Sequence, residues 1–426
     1  MKPAVPPAAS SPQPSFTPPG LSYPVASTFR ALRHRNFRLW FFGQLTSLVG
    51  TWMQSIAQNW LVYRITGSAA SLGLVNFVGA IPLVPLTLYA GAIADRLSKR
   101  RIIFFMQAAM MVLAFVLAIL CWTGVVRFWH VLVLAFLLGA AQALDTPARQ
   151  AFVVELVGKE DLSNAIALNS GIFHGARVIG PALAGILVAS VGISISFFLN
   201  GASFFAVLAG LYLMDATLIR KTRAEGEDAK DLLGGVRHLA ANRIPTAVVI
   251  LISLSSLLAM PYYVLVPVFA KEILGRDAGA YGALMSAAGV GAVLGSLHAA
   301  SARGSRRKGA LLTAGSFAFP VLLLAFALSR SYPLSLLLLA AVGFAFVIQN
   351  APANSLIQSL VPDNLRGRVM AIYVCLLLGL MRVGGLLAGL LAQAFTAPVA
   401  LAALSVAALL GALAVSARYP ELRRTE

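Results

Sequence analysis

Apolar runs of roughly twenty residues recur along the chain, separated by short polar connections that carry most of its charge. They are centred near Leu48, Leu83, Met111, Leu137, Arg177, Phe205, Leu254, Val290, Leu322, Leu339, Leu380 and Leu404. At 1.5 Å of rise per residue each run, wound as a helix, reaches across a hydrocarbon core about 30 Å thick. Helices that satisfy their own backbone hydrogen bonds are the form such runs take in lipid. The pattern predicts an all-α integral membrane protein of twelve transmembrane helices.

The polar intervals divide the chain. Residues 1–28, rich in Pro, Ser and Ala and without an apolar core of signal-peptide length, predict a disordered cytoplasmic tail. Residues 29–214 hold the first six runs and 246–418 the second six, with 419–426 a second cytoplasmic tail. The linker 215–245 carries six cations and five acids. Leu232, Val236 and Leu239 recur there at helical spacing, which predicts a short amphipathic helix along the membrane surface; a solvated connection is the alternative.

Charge then sets orientation. With both termini inside, the cytoplasmic connections collect 26 of the 33 Lys and Arg residues and the outer ones five, leaving Arg177 and Arg382 within the membrane. Because the net charge of +18 lies in these connections rather than in a basic and aromatic patch, nucleic acid is not an expected partner. Cys121 and Cys375 each sit inside an apolar run and imply no disulfide or metal framework.

The halves repeat. Pro147-Ala148 recurs as Pro352-Ala353, and Arg177-Val178-Ile179-Gly180 with Ala184-Gly185 recurs as Arg382-Val383-Gly384-Gly385 with Ala388-Gly389. Such repeats mark transporters, and two six-helix bundles related by a pseudo-twofold axis are expected. Between runs two and three lies Gly91-Ala-Ile-Ala-Asp95-Arg96-Leu-Ser-Lys99-Arg100. Its counterpart after run eight keeps the cations and lacks the carboxylate.

Twelve spans, two repeats and this loop resemble the major facilitator superfamily and its Gly-x3-Asp-Arg-x-Gly-Arg-Lys signature, with Ser98 at the second glycine. Gly50-Thr51-x2-Gln54 in span 1, Asp145-x-Pro147-x-Arg149 in span 4 and Arg177 to Gly185 in span 5 are similar to the branch of enterobactin exporters and macrolide efflux proteins. The resemblance implies an exporter in a bacterial cytoplasmic membrane, working by proton antiport with alternating access and no cofactor beyond the proton gradient. A small-molecule substrate, surrounding lipid and a monomeric state follow from it. Solute uptake, flipping of a lysophospholipid-type lipid, or a non-transporting receptor or scaffold are the other readings. The motifs of a membrane-embedded enzyme or an ATP-driven pump do not occur in the chain.

The residues suggest roles within that frame. Asp95 is placed to meet the N-terminus of span 11, near Arg366-Gly367-Arg368, when the bundles close on the cytoplasmic side; Gly91, Arg96, Lys99 and Arg100 complete the gating loop. Lys99 and Arg100 have Asp145 or Glu155 as candidate partners. Gln44, Ser47, Thr51, Gln54 and Gln58 form a polar stripe down one face of span 1, and Ser256 and Tyr263 add polar groups from span 7. Spans 1 and 7 line the cavity in this superfamily, although amide and hydroxyl stripes also serve as interhelical contacts. Arg177 and Arg382 have no acid within their own spans, so they either attract an anionic substrate or bond to neutral groups between helices. Asp145 leads as the proton-coupling group, with salt-bridging to Arg149 as the structural alternative, and His174 follows. Ala176, Gly180 and Ala184 form a small-residue ridge, Pro181 kinks the helix and Gly185 completes the packing motif, with Gly282, Gly289, Gly291 and Gly295 of span 8 expected as the matching surface.

Overall fold

A computed structural model describes residues 29–83, 86, 98–219, 232–301 and 307–425. The described chain is helical. In order it forms α1 (Arg35–Thr66), α2 (Ala69–Ala80), α3 (Lys99–Trp122), α4 (Phe128–Gly158), α5 (Glu160–Ser190), α6 (Ile193–Leu213) and α7 (Leu232–Ala241). These are followed by α8 (Arg243–Ile273), α9 (Ala278–Ser301), α10 (Lys308–Leu328), α11 (Tyr332–Leu360), α12 (Asp363–Ala394) and α13 (Ala397–Arg418).

Among the described residues, ten helices are long and apolar enough to cross a membrane. Helix α1 has the length, at 32 residues, but its polar stripe lowers its hydropathy. The described part of α2 covers 12 residues, and most of the second apolar run lies beyond it. Large apolar side chains such as Phe105, Trp122 and Leu337 face outward, as expected where the solvent is lipid.

Local chemistry ends each helix. The Gly67 N–H bonds to the Tyr63 carbonyl at φ 60°, a left-handed cap that a side chain would strain, and Ser68 then caps α2 through Ser71 N–H. Gly158, at φ 74°, breaks what would otherwise be one rod into α4 and α5. Helix α8 contains π-turns at Ser255–Ala259 and Phe269–Ile273, the first just before Pro261 and the second just after Pro267. Gly384 of α12 lies so close to the Leu257 carbonyl that a Cβ there would come within 2.1 Å of the oxygen.

Two ends can be told apart by their contacts. At the basic end, buried Asp161 accepts from Arg30 at 2.9 Å, Arg33 at 2.8 Å and His34 at 2.7 Å, while Asn164 caps Ala31 N–H. Lys99 meets Glu155 at 2.5 Å. The C-terminal turn tucks Leu422 against Gly309. Helix α7 is present as expected, but it docks on α12 through Gly235 beside Ile372 and Arg368, with Leu239 buried and Val236 exposed. The far end holds the connections near Gly67, Gly192 and Gly275.

The first six helices pack chiefly through α1 against α6 and the α4–α5 stretch, and α3 against α6 and the same stretch. In the second half α11 packs on α9 and α10, and α10 on α13. The halves meet along two seams, α2 with α12 and α5 with α9.

Candidate functional site

Between the two halves lies a cavity of about 430 Å³ lined by α1, α2, α3, α4, α5, α6, α8, α9 and α12. The stripe on α1 supplies Ser47, Thr51, Gln54 and Gln58. The Thr51 hydroxyl donates to the Ser47 carbonyl at 2.8 Å, and Gln54 Oε1 accepts from Asn200 Nδ2 at 2.6 Å. Gln44 lies outside the lining; it is buried and accepts from Arg149 Nη1 at 2.8 Å. Tyr263 is on the wall, whereas Ser256 lies within the π-turn, is fully buried and does not line the cavity.

Asp145 and Arg149 line the cavity together. Asp145 is 1% exposed, accepts from Arg149 Nε at 2.8 Å, and has Gln107 Nε2 at 3.2 Å from each carboxylate oxygen. The salt bridge to Arg149 is thus present, and it is on the cavity wall rather than in a loop. Lys99 pairs with Glu155, whereas Arg100 donates to the Tyr212 carbonyl at 3.3 Å and meets no acid among the described residues.

Arg177 and Arg382 both line the cavity, and neither meets a carboxylate among the described residues. The Arg177 guanidinium lies 5.7 Å from the ring centres of Trp52 on α1 and Phe346 on α11. Arg382 donates to Asn76 Oδ1 at 3.2 Å, and Asn76 in turn donates to Asn59 at 3.2 Å. Each arginine therefore reaches from its own half to the other.

The far side of the cavity is tightly closed. A Cβ on Gly73 would lie 2.6 Å from the Gly385 carbonyl oxygen, and one on Gly389 2.5 Å from that of Ala69. Along the other seam, a Cβ on Gly282 would lie 2.4 Å from the Pro181 oxygen. Trp60 stacks on Tyr281 with centroids 6.0 Å apart. The Tyr63 hydroxyl donates to Glu272, and Lys271 sits 5.3 Å over the Tyr63 ring, tying α1 to α8. Toward the basic end, Cβ positions at Gly171 and Gly175 on α5 and Gly379 on α12 would meet no described residue within 4 Å.

The small-residue ridge is split between two partners. Gly180 packs on α1, where a Cβ would come 2.5 Å from Trp52 Cβ, while Pro181 and Gly185 meet α9. Ala176 and Ala184 are fully buried. On α9, Gly282 and Gly289 face α5 but Gly291 and Gly295 face α11, so the expected single matching surface is two surfaces. His174 stands away from the cavity lining, its ring against Phe173. Gly91, Asp95 and Arg96 lie outside the described residues; α12, their expected partner, begins at Asp363, with Arg366 bound to Asp363 at 2.5 Å. The sequence reading missed Asn59, Asn76, Gln107 and Trp52. Isolated amides in the apolar runs of α2 and α3 were the available signal.

A helical membrane protein with a polar, charged cavity closed at one end between two halves has the architecture of a transporter rather than of an enzyme. The chain belongs to the transmembrane secretion effector family of the major facilitator superfamily, whose profile matches residues 26–426. It is 29% identical over 407 residues to the multidrug efflux pump Tap of Mycolicibacterium fortuitum, covering 90% of this chain and 96% of that one. It is 26% identical over 344 residues to the enterobactin exporter EntS of Shigella boydii, covering 80% and 81%. A bacterial homologue of the human lysosomal transporter Spinster, solved inward-facing and unoccupied, superposes with a TM-score of 0.70 at 14% identity, covering 94% of this chain and 99% of that one. The protein is accordingly a multi-pass membrane transporter of a small molecule.

Proposed function

We propose that the chain exports a small molecule across the bacterial cytoplasmic membrane by proton antiport and alternating access, using twelve spans in two six-helix bundles. The carrying observation is the cavity itself: it lies between halves, is sealed at the far end by glycine seams, and contains one buried carboxylate paired with a guanidinium. Both termini and the basic end lie in the cytoplasm on this reading, so the conformation is inward-facing.

Asp145 is the proton carrier. Ionised, it holds Arg149; protonated, it loses the charge that fixes Arg149 and leaves that guanidinium to its bond with Gln44. Because Arg149 borders the cavity, its release changes the charge that a substrate meets. The similarity to Tap and EntS supports the export direction.

The test is accumulation of a panel of fluorescent drugs and metal chelators in an efflux-deficient bacterial host. Expression of the chain is expected to lower the accumulation of at least one compound, and a protonophore to restore it. Lowered accumulation that persists under the protonophore would exclude proton coupling; accumulation raised above the empty host would indicate uptake instead.

A further inference from the structure

We propose, building on the export reading, that the cavity is an anion site: the substrate is an amphiphilic organic anion whose charged group is taken by Arg177 and Arg382 together, and its capture loosens the contacts that close the far end. Charge comes first. The described wall holds three arginines and one aspartate. Arg149 and Asp145 compensate each other at 2.8 Å, so Arg177 and Arg382 leave two positive charges facing the cavity.

The partners of these two arginines are neutral. Arg177 lies between the rings of Trp52 and Phe346, with Tyr262 beside it, and Arg382 has the amide oxygen of Asn76. A guanidinium offers five N–H donors in a planar fork that suits a carboxylate, phenolate or sulfonate. In a partly dry cavity an uncompensated cation is expensive, and an arriving anion relieves that cost. Met260, Met285, Met381 and Phe204 supply apolar and polarisable surface for the body of the molecule. A cation would meet the same two charges as repulsion.

Arg177 stands on α5 and touches Phe346 across the interface, while Arg382 stands on α12 and touches Asn76 across it. The two arginines are related by the internal repeat, but their partners, Phe346 on α11 and Asn76 on α2, are not. An anion that draws both guanidiniums into the cavity competes with both, and a ligand shifts a conformational equilibrium by its differential affinity for the two states. Substrate capture would thereby weaken the Arg382–Asn76 tie across the α2–α12 seam and the Arg177–Phe346 contact between α5 and α11.

The experiment uses the full chain in lipid nanodiscs and three matched probes: naphthalene-2-carboxylate, the neutral naphthalene-2-carboxamide, and 2-naphthylmethylammonium. Equilibrium dialysis is expected to show the carboxylate bound about tenfold or more tighter than either of the others. The double variant Arg177→Gln/Arg382→Gln should lose that preference, and Arg177→Lys/Arg382→Lys should keep part of it; size-exclusion profiles verify folding. In a background with Cys121 and Cys375 replaced by alanine, Ala69→Cys at the α2–α12 seam should be labelled faster by a maleimide when the carboxylate is present. No preference for the carboxylate in folded wild-type protein overturns the anion site, and binding without faster labelling overturns the loosening. Gradient-driven flux of a neutral drug with no carboxylate preference would sink this inference and leave export standing. Carboxylate preference without any gradient-driven flux would do the reverse.

Discussion

Replacing Asp145 by asparagine separates proton coupling from folding, and the structure sets the size of each effect. The carboxylate accepts from Arg149 Nε at 2.8 Å and has Gln107 Nε2 at 3.2 Å from both oxygens. Breaking a fully buried ion pair costs about 3–5 kcal/mol. Here Arg149 retains 28% side-chain exposure and its bond to Gln44, so much of that penalty is hydrated away. The new amide nitrogen replaces Oδ1 and faces Gln107 Nε2, so the Gln107 amide must turn over for its Oε1, which has no partner among the described residues, to accept from it; that bond returns about 1 kcal/mol. The net loss is about 1–2 kcal/mol, small enough for Asp145→Asn to fold and insert.

The transport effect is larger in kind. One pH unit is worth about 1.4 kcal/mol per proton, so 1:1 antiport across that gradient sustains up to roughly tenfold substrate accumulation. In proteoliposomes, Asp145→Asn should show no gradient-driven accumulation while still exchanging labelled for unlabelled substrate with no gradient. If the variant concentrates substrate as the wild type does, at equal reconstituted amounts, Asp145 is not the coupling group.

Other perturbations address the seams and caps. Gly282→Ala places a methyl group 2.4 Å from the Pro181 oxygen across the interface, costing about 1–3 kcal/mol in the closed far end; amide hydrogen exchange in α2 and α9 should quicken. Gly180→Ala meets Trp52 inside one half, so it should lower thermal stability without changing that exchange pattern. Tyr63→Phe removes the hydroxyl bond to Glu272 but leaves the ring under Lys271; about 1–2 kcal/mol of closure is lost, read as faster exchange over 69–80 with little change in melting temperature. Gly67→Ala has open space but a φ of 60°, so a stability loss of about 1 kcal/mol is expected with substrate affinity unchanged.

The site was legible where a single helix carries the signal. Ser47, Thr51, Gln54 and Gln58 repeat at helical spacing, and a polar face that long on an apolar helix has a reason to turn toward water or substrate. Ser256 followed the same logic, yet it lies within the π-turn at Ser255–Ala259 and is fully buried, away from the cavity. Gln107 and Asn76 stand out in the sequence only as lone amides; their meaning comes from Asp145 and Arg382, which approach from distant parts of the chain.

The sequence by itself determined the membrane class and the repeat that pairs Arg177 with Arg382, because length, hydropathy and spacing act along the chain. Tertiary structure decided which partner each residue finds. Gly180 and Gly185 belong to one packing motif in sequence, yet Gly180 meets α1 and Gly185 meets α9. A step of five residues on a 3.6-residue turn points them in different directions, and only the position of the neighbouring helices says what each one meets.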